Sequence, residues 1–366
     1  MSPALDRFLL RMPKVELHVH LEGSMRPATL LALARRHGLE LPARDEAGLQ
    51  RWFRFRDFDH FVEVYLTCSL ALAEPEDFRL LALDAMAEME RQNVLYAEAH
   101  FTIGTHLANG RDGEAIRQAL AEGLAEGERR HFVRLRLVAD IVRNVPQMAD
   151  HTLEWALSAQ GPLVVALGLS GYEAVFPSHP FREHFDYAAR HGLHRVAHAG
   201  EHAGPGSVRA ALEVCGAERI GHGVRSVEDP GLVAELAQRG VPLEICPTSN
   251  LRLGVVTDLS SHPFDRLYRS GVPVTVNSDD PPFFDTTLTD EYRRLHQAFG
   301  YAPAELAGFS LTALRHSFLP DDEKAGLEEE FRRQFAALGR EELGEPVVPA
   351  VAAVGVAPSS PLTGPF

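Results

Sequence analysis

Apolar and polar residues alternate in the segment PKVELHVHLEGS, residues 13–24. The apolar positions 15, 17, 19 and 21 follow a period of two, which predicts a β-strand. The polar positions between them hold Glu16, His18, His20 and Glu22. Because side chains alternate across a strand, His18 and His20 project from one face, about 6–7 Å apart along it. This pair suits two ligands of one metal ion, although other roles are open to it.

Seven further apolar runs alternate with longer amphipathic segments such as RPATLLALARRHG and DPGLVAELAQRG, which begin near a proline and end at a glycine as helices do. The eight predicted strands span residues 14–20, 94–101, 133–140, 163–169, 195–199, 219–222, 241–246 and 273–278. Alternation of strand and helix predicts an α/β fold with a parallel sheet. Eight units in this length of chain predict a (β/α)₈ TIM barrel, with a doubly wound open sheet as the alternative.

The chain divides into one large domain and a tail. Residues 1–340 are predicted to form the barrel domain, with a helical insertion at about 39–93 after the first strand. Within it, residues 57–93 have the pattern of two helices, which predicts an extra helical layer over one end of the barrel. Residues 341–366 are rich in Pro, Ala and Val without periodicity, so we expect a disordered or loosely packed tail.

Composition narrows the class of partner. The net charge of −15 over 366 residues argues against nucleic acid and anionic membranes, so a small molecule is the expected partner. Three widely spaced cysteines indicate neither a disulfide framework nor a thiolate zinc site, and they favour the reducing cytoplasm. The start of the chain lacks the apolar core of a secretory signal, and no apolar run reaches 18 residues. Nothing in the sequence indicates an oligomeric state.

Polar residues stand at the ends of four predicted strands, where a barrel builds its active site. They are His18 and His20 in HVH, His198 and Glu201 in HAGE, His222 in GHG, and Asp279 and Asp280 in SDDP. One such histidine is usually structural, but four strands that end this way favour a metal centre.

Imidazole and carboxylate ligands together favour Zn²⁺, or Co²⁺, Fe²⁺ or Ni²⁺, over Mg²⁺ and Ca²⁺. Zn²⁺ lowers the pKa of a bound water from about 15.7 towards about 7, which makes hydrolysis accessible near neutral pH. Glu201 and His222 are candidates for the proton transfers, although Glu201 could simply stabilise a helix start and Asp280 could cap one. The fourth strand region, LVVALGLSGYE, has no lysine, which disfavours a two-metal centre bridged by a carbamylated lysine.

The motifs PKVELHVHLEGS, GLSGYE, HAGE, GHG, CPTSN and NSDDP, in this order, resemble the adenosine deaminase family over about residues 12 to 320. The resemblance implies a (β/α)₈ barrel with one zinc ion. It also implies an enzyme that replaces the 6-amino group of a purine by oxygen and releases ammonia. The zinc ligands it implies are His18, His20, His198 and Asp279.

The resemblance further implies roles for five residues. Glu201 would protonate the ring nitrogen next to the attacked carbon, and His222 would orient or deprotonate the attacking water. Gly171 would offer a backbone donor to the purine, since glycine permits close approach. Asp280 would bind the imidazole-ring nitrogen of the purine, and Glu22 would lie on the sugar side.

Different motifs of the sequence favour different substrates. Glu22 stands in HLEG, where adenosine-specific members usually have HLDG, and HLEG is common among members that act on free adenine. TTLTDEY, residues 286–292, is similar to nucleoside-type members. RWFRFRDF, residues 51–58, could hold an aromatic carboxylate, as in 6-aminodeoxyfutalosine, although a solvated arginine loop with a small core of aromatics is the favoured interpretation. We predict a 6-aminopurine nucleoside first and adenine second, with a catalytically silent purine-binding barrel as the non-enzymatic alternative.

Overall fold

A computed structural model describes residues 1–56 and 58–350. Eight parallel strands form one sheet in chain order: β1 Lys14–His20, β2 Val94–Phe101, β3 Arg134–Val142, β4 Val164–Ser170, β5 His194–Ala199, β6 Arg219–His222, β7 Leu243–Ile245 and β8 Val274–Val276. The sheet closes where the Asp279 amide donates to His18 O at 3.1 Å and the His20 amide donates to Asp279 O at 2.8 Å. The predicted (β/α)₈ barrel and its eight strands are confirmed.

The helices surround this barrel. They are α1 Pro3–Arg11, α2 Pro27–His37, α3 Glu46–Phe53, α4 Phe58–Ala71, α5 Pro75–Arg91, α6 Ile103–Ala108, α7 Gly113–His131, α8 Ala149–Ser158, α9 Arg182–Arg190, α10 Pro205–Val214, α11 Pro230–Arg239, α12 Pro247–Arg252, α13 Phe264–Arg269, α14 Pro281–Phe284, α15 Leu288–Phe299, α16 Pro303–His316 and α17 Asp321–Leu338. Helix and sheet bury one continuous apolar core, and Val138, Ala166 and Val196 form a second, smaller cluster.

The helical insertion after β1 differs in detail from the prediction. Of the two helices predicted over residues 57–93, α5 packs along α7 and β2, so it is the ordinary crossover helix of the barrel. The extra layer is instead α2, α3 and α4, which pack against one another. The sequence pattern did not predict α3, because its only buried apolar residues are Leu49 and Phe53, too few to establish a helical period.

The chain after α17 is packed rather than disordered up to residue 350. Arg7 Nε donates to Glu342 at 2.7 Å, and Val347 is buried. The Ala350 amide donates to Ala304 O at 2.8 Å. These contacts join the tail to α1 and α16, distant elements that a local composition argument does not consider. The rest of the predicted disordered tail, residues 351–366, lies outside the described residues.

Two further predictions concern the cysteines and membrane-spanning segments. Cys68, Cys215 and Cys246 are buried free thiols, as the spacing predicted, and the cytoplasmic location stays a prediction. Within the part of the chain that the structure describes, no helix is both long and apolar enough to cross a membrane.

Candidate active site and metal centre

The strand ends turn their polar side chains together through backbone conformations that are uncommon for these residue types. His222, at the end of β6, has φ = 61°, and Asp279, three residues after β8, has φ = 65°. Both values lie in the left-handed region, which costs free energy for any residue except glycine. Such strain is typical of positions where a side chain must be aimed at a site.

Four candidate ligands meet at the carboxyl end of the barrel. Each of His18, His20, His198 and Asp279 offers one ligand atom, and these atoms lie within 4.8 Å of one another. Asp279 Oδ1 is 3.4 Å from His18 Nε2 and 3.3 Å from His20 Nε2. The Nε2 atoms of His20 and His198 approach to 3.2 Å. The structure therefore brings together the four residues that the sequence proposed as ligands.

Two of these imidazoles are oriented by partners on their outer nitrogens. His18 Nδ1 lies 2.9 Å from Glu244 Oε2, and His198 Nδ1 lies 3.2 Å from Leu169 O. Because each partner is an acceptor, Nδ1 carries the proton and Nε2 keeps a lone pair. His18 Nε2 is buried and has no hydrogen-bond partner among the described residues. This is the arrangement that metal-bound histidines adopt.

The charges around the cluster favour a cation. Burial lowers the pKa of His18, but the nearby carboxylates of Asp279 and Glu244 raise it to about 10. Burial likewise lowers the pKa of His20, but the charge of Asp280 and the contact with Asp279 raise it to about 9. The surrounding carboxylates thus attract positive charge to this point, and a divalent ion would replace protons there. The residues fit the metal that such a site implies.

His100 is a further member of the cluster, to which the sequence assigned no role. Its ring centroid lies 4.5 Å from that of His18, and its Nδ1 is 2.9 Å from Asp140 Oδ1. A Cβ at position 168 would lie 1.8 Å from the same carboxylate oxygen, so Gly168 leaves the space that Asp140 occupies. Asp140 ends the apolar predicted strand at residues 133–140, and this position could have indicated a role in the site.

Glu201 lies beside the candidate ligands, and hydrogen bonds from its own amide and the two adjacent amides fix its backbone. Glu173 accepts hydrogen bonds from the amides of Gly200, Glu201 and His202 at 2.5, 3.2 and 3.1 Å. Burial raises the pKa of Glu201, but His222 and His202 lower it to below its usual value. The resting Glu201 is therefore a carboxylate. Glu173, the last residue of GLSGYE, is a positioning residue that sequence reasoning missed.

His222 lies between the ligand cluster and Glu201. Its Nε2 is 3.9 Å from Asp279 Oδ2, and its Nδ1 is 3.8 Å from Glu201 Oε1. Burial lowers its pKa, so the ring is neutral at physiological pH. The two predicted proton-transfer residues are thus adjacent.

The two residues predicted to bind the purine, Gly171 and Asp280, are constrained in different ways. Gly171 has φ = 95°, and a Cβ there would lie 2.6 Å from Asn144 Oδ1, so only glycine fits. Burial and the adjacent charge of Asp279 raise the pKa of Asp280, while Asp279 stays ionised beside the histidines. The pKa values of these two neighbouring carboxyl groups are therefore shifted in opposite directions.

Glu22 is held by one carboxylate oxygen. Its Oε1 accepts from the Thr102 amide and hydroxyl at 2.9 and 2.6 Å and lies 3.1 Å from His106 Nε2. Its Oε2 is buried without a partner in the described chain. Burial and the charge of Glu22 raise the pKa of the Tyr65 hydroxyl.

A cavity of about 390 Å³ adjoins the cluster. Its wall includes the candidate residues His20, Gly171, His198, Glu201, His222, Asp279 and Asp280. Helix α4 covers it with Phe61, Tyr65 and Leu66, and Asn109 and Asn144 add polar groups. Neither lysine nor arginine occurs among the described residues of this wall.

The arginines of RWFRFRDF do not line this cavity. Arg54 pairs with Asp285 at 3.0 Å in an exposed position, and Phe53 packs against Phe283. The carboxylate-binding role of this segment therefore stays a prediction, with its described arginines outside the cavity wall. Asp57 and the side chain of Phe58, which belong to the same prediction, lie outside the described residues.

A barrel with an imidazole and carboxylate cluster beside a largely apolar cavity is typical of metal-dependent hydrolases. The family model described as adenosine deaminase matches residues 13–334. The chain is 39% identical over 319 residues to an adenine deaminase of Streptomyces coelicolor, covering 86% of this chain and 93% of that protein. It is 38% identical over 338 residues to an aminodeoxyfutalosine deaminase of the same organism, covering 91% and 87%.

The crystal structure of an adenine deaminase from Arthrobacter aurescens superposes with a TM-score of 0.84 at 32% identity. The superposition covers 88% of this chain and 98% of that one. The chain therefore belongs to the adenosine deaminase family and is a metal-dependent aminohydrolase.

Proposed function

We propose that this chain hydrolyses the 6-amino group of a purine nucleoside, adenosine or a 5′-modified relative, with one zinc ion per chain. The observation that carries the proposal is the convergence of His18, His20, His198 and Asp279 within 4.8 Å beside a cavity that also contains Glu201. The products are the 6-oxopurine nucleoside and ammonia.

Zinc is proposed because of the donor set. Three imidazoles and one carboxylate suit Zn²⁺ better than the hard ions that prefer oxygen ligands. Glu244 and Leu169 leave a lone pair on the inner nitrogens of His18 and His198. When bound, such an ion supplies a Lewis acid and lowers the pKa of a water molecule towards neutrality.

Glu201 performs the proton transfer in this proposal. It begins as a carboxylate, so it can accept a proton from the attacking water. It then passes this proton to the ring nitrogen next to the attacked carbon, while a C–O bond forms at that carbon. The C–N bond to the amino group then breaks, the second proton of the water passes to the departing nitrogen, and ammonia leaves. Its Oε1 has no hydrogen-bond partner among the described residues, so the atom is available for both transfers.

Asp280 and Gly171 orient the purine in this proposal. The raised pKa of Asp280 favours the protonated form of its carboxyl, which can donate to the acceptor nitrogen of the imidazole ring. The missing side chain at Gly171 lets the purine edge approach the backbone. Together the two contacts would fix the attacked carbon near Glu201.

The size and charge of the cavity favour a nucleoside. A volume of about 390 Å³ exceeds what a flat purine ring needs, and Asn109 and Asn144 offer partners for sugar hydroxyls. A carboxylate on the substrate would find no lysine or arginine along the described part of the wall, so it would have to extend to solvent. This favours adenosine over acidic 5′-modified nucleosides.

Adenine is the second candidate, and Glu22 favours it. Free adenine carries a ring N–H where the nucleoside carries the sugar, and a carboxylate is a natural acceptor for this donor. Glu22 Oε2 is a buried acceptor without a partner in the described residues. In a nucleoside enzyme the same atom would accept from a sugar hydroxyl.

The test is ammonia release by zinc-loaded protein from adenosine, 2′-deoxyadenosine, adenine and 6-aminodeoxyfutalosine under one set of conditions. We expect a nucleoside to exceed adenine in kcat/KM by about tenfold or more, which is roughly 1.4 kcal/mol of discrimination. Adenine as the best substrate would reverse the ranking. Tight purine binding without ammonia release would support a silent barrel and reject the proposal.

Glu22→Gln sharpens the same test. We expect it to reduce kcat/KM for the preferred nucleoside more than for adenine, because the neutral amide is a weaker acceptor for a sugar hydroxyl. Glu46→Gln, on the exposed surface of α3, is the matched control and should change neither value. A larger loss with adenine would instead assign Glu22 to the free base.

A further inference from the structure

His262, outside the cavity wall, begins a chain of hydrogen bonds that leads to His222. The amide of Phe264 donates to His262 Nδ1 at 3.0 Å. A backbone N–H can only donate, so His262 Nδ1 must be the acceptor. Burial lowers the pKa of His262 to about 4, so the ring is neutral and its single proton is on Nε2.

The proton on His262 Nε2 also determines the orientation of the Asn250 side chain. His262 Nε2 lies 3.1 Å from Asn250 Oδ1, and since Nε2 carries the proton, the amide oxygen accepts it. The orientation of the Asn250 amide is thereby fixed, and its NH₂ group faces His222 Nδ1 at 3.3 Å. Asn250 is fully buried and His262 is 3% exposed, so water is excluded as a substitute partner.

We propose that Asn250 and His262 are positioning residues that hold neutral His222 as the Nε2–H tautomer. The Asn250 amide occupies the Nδ1 lone pair, so the ring proton lies on Nε2, the nitrogen 3.9 Å from Asp279 Oδ2. His222 then donates a hydrogen bond towards the attacking water and does not accept its proton. The tautomer follows from the hydrogen bonds alone, and its catalytic consequence rests on the proposed function.

One contact competes with this arrangement. Glu201 Oε1 lies 3.8 Å from His222 Nδ1 and would favour a proton on that nitrogen. The distance exceeds the range of a hydrogen bond, whereas Asn250 is within it. The chain of three side chains therefore decides the tautomer, and it leaves Glu201 free to take the proton of the water. A change at Asn250 should reverse the balance.

Asn250→Asp is the sharpest test, because it keeps the size of the side chain and replaces a donor by an acceptor. His262 can still donate to one carboxylate oxygen, while the other oxygen requires a proton on His222 Nδ1. In zinc-loaded protein with ¹⁵N-labelled histidine rings, we expect His222 to carry its proton on Nε2 in the native chain and on Nδ1 in the variant. Signals are assigned by their loss in His222→Gln and His262→Phe.

The kinetic expectation is a loss of about 10–100-fold in kcat with little change in KM, the usual effect of removing a partner that orients a group at a metal centre. His262→Phe, which removes the donor without adding a charge, should lower kcat in the same direction and less. His184→Phe, at a histidine that contacts Asp150 on the surface, is the matched control and should leave kcat unchanged.

Two results would overturn the proposal. A native His222 protonated on Nδ1 would refute the tautomer, and an unchanged kcat in an Asn250→Asp protein whose tautomer has switched would refute the positioning role. If native protein releases ammonia from no purine, the proposed function fails, while the NMR spectra still decide the tautomer.

Discussion

The two ends of the barrel differ in whether their buried polar groups have hydrogen-bond or charge partners. At the amino-terminal end, Arg219 is buried, yet its guanidinium contacts Glu98 and Glu244 at 2.5 Å each and His316 O at 3.1 Å. Lys14 Nζ is likewise buried and donates to three backbone carbonyls. Every charge named here has partners, as buried charges normally do.

At the carboxyl end, buried polar atoms lack partners within the described residues: Glu22 Oε2, Tyr65 Oη, His100 Nε2, Glu201 Oε1 and Asp280 Oδ1. Each such atom costs free energy unless something outside the chain satisfies it. Paired charges therefore contribute to the fold at one end, and buried polar atoms without partners indicate ligand binding at the other. Glu244 joins the ends, since one oxygen contacts Arg219 and the other contacts His18.

The largest expected effect is on catalysis at the carboxyl end. Glu201→Gln should reduce kcat by about 10²–10⁴-fold, because the amide cannot carry the transferred proton. The variant should keep its metal, as elemental analysis can establish. Glu218→Gln, the same change at the opposite end, should leave kcat unchanged. Near-normal turnover of Glu201→Gln would remove this residue from the mechanism.

Metal binding is the next effect. Asp279→Ala should purify with little zinc, because the cluster loses its only carboxylate ligand, and elemental analysis reads this out directly. Asp280→Asn, at the adjacent position, should retain the metal. Full zinc content in Asp279→Ala would contradict its assignment as a ligand.

At the amino-terminal end the expected effect is on stability. Arg219→Met leaves Glu98 and Glu244 buried without their counter-charge, which should lower the free energy of unfolding by about 3–5 kcal/mol. Denaturant unfolding measures the loss. Arg333→Met, which removes an exposed pair with Glu330, should change it by less than about 0.5 kcal/mol. Equal losses in the two variants would contradict the comparison.

The smallest expected effect is a pH dependence of stability. Burial and the nearby charge of Arg219 lower the pKa of His316 to about 4, from an ordinary value of 6.5. Between these values the unfolded chain binds more protons, so stability is present above about pH 6.5 and is lost as the pH falls towards 4. Between about pH 7 and pH 5, His316→Gln should remove about 2 kcal/mol of this loss, since each pH unit below 6.5 costs about 1.4 kcal/mol. Parallel stability curves for variant and native chain would contradict it.

The sequence predicted the barrel well because strand periodicity is local. Topology also predicted the polar residues of the site, because it brings the carboxyl ends of parallel strands together, and the family resemblance indicated which of them are ligands. His18, His20, His198 and Asp279 could thus be proposed before any coordinates.

Contacts that join distant segments were not predictable in this way. Glu173 reaches the HAGE loop across 27 residues, and Asn250 and His262 act through a chain that ends at His222. None of these residues ends a predicted strand with a metal-binding side chain. The packed residues up to 350 were missed for the same reason, since their partners lie on α1 and α16.

In the proposed mechanism, the carboxyl end of the barrel holds one metal ion that deamination requires. The direct measurement is ammonia release from the preferred purine as zinc is added stepwise to metal-free protein. We expect activity to be absent without zinc, to rise in proportion to added zinc and to stop rising at one equivalent per chain. Activity that is independent of zinc, or that rises to two equivalents, would contradict it.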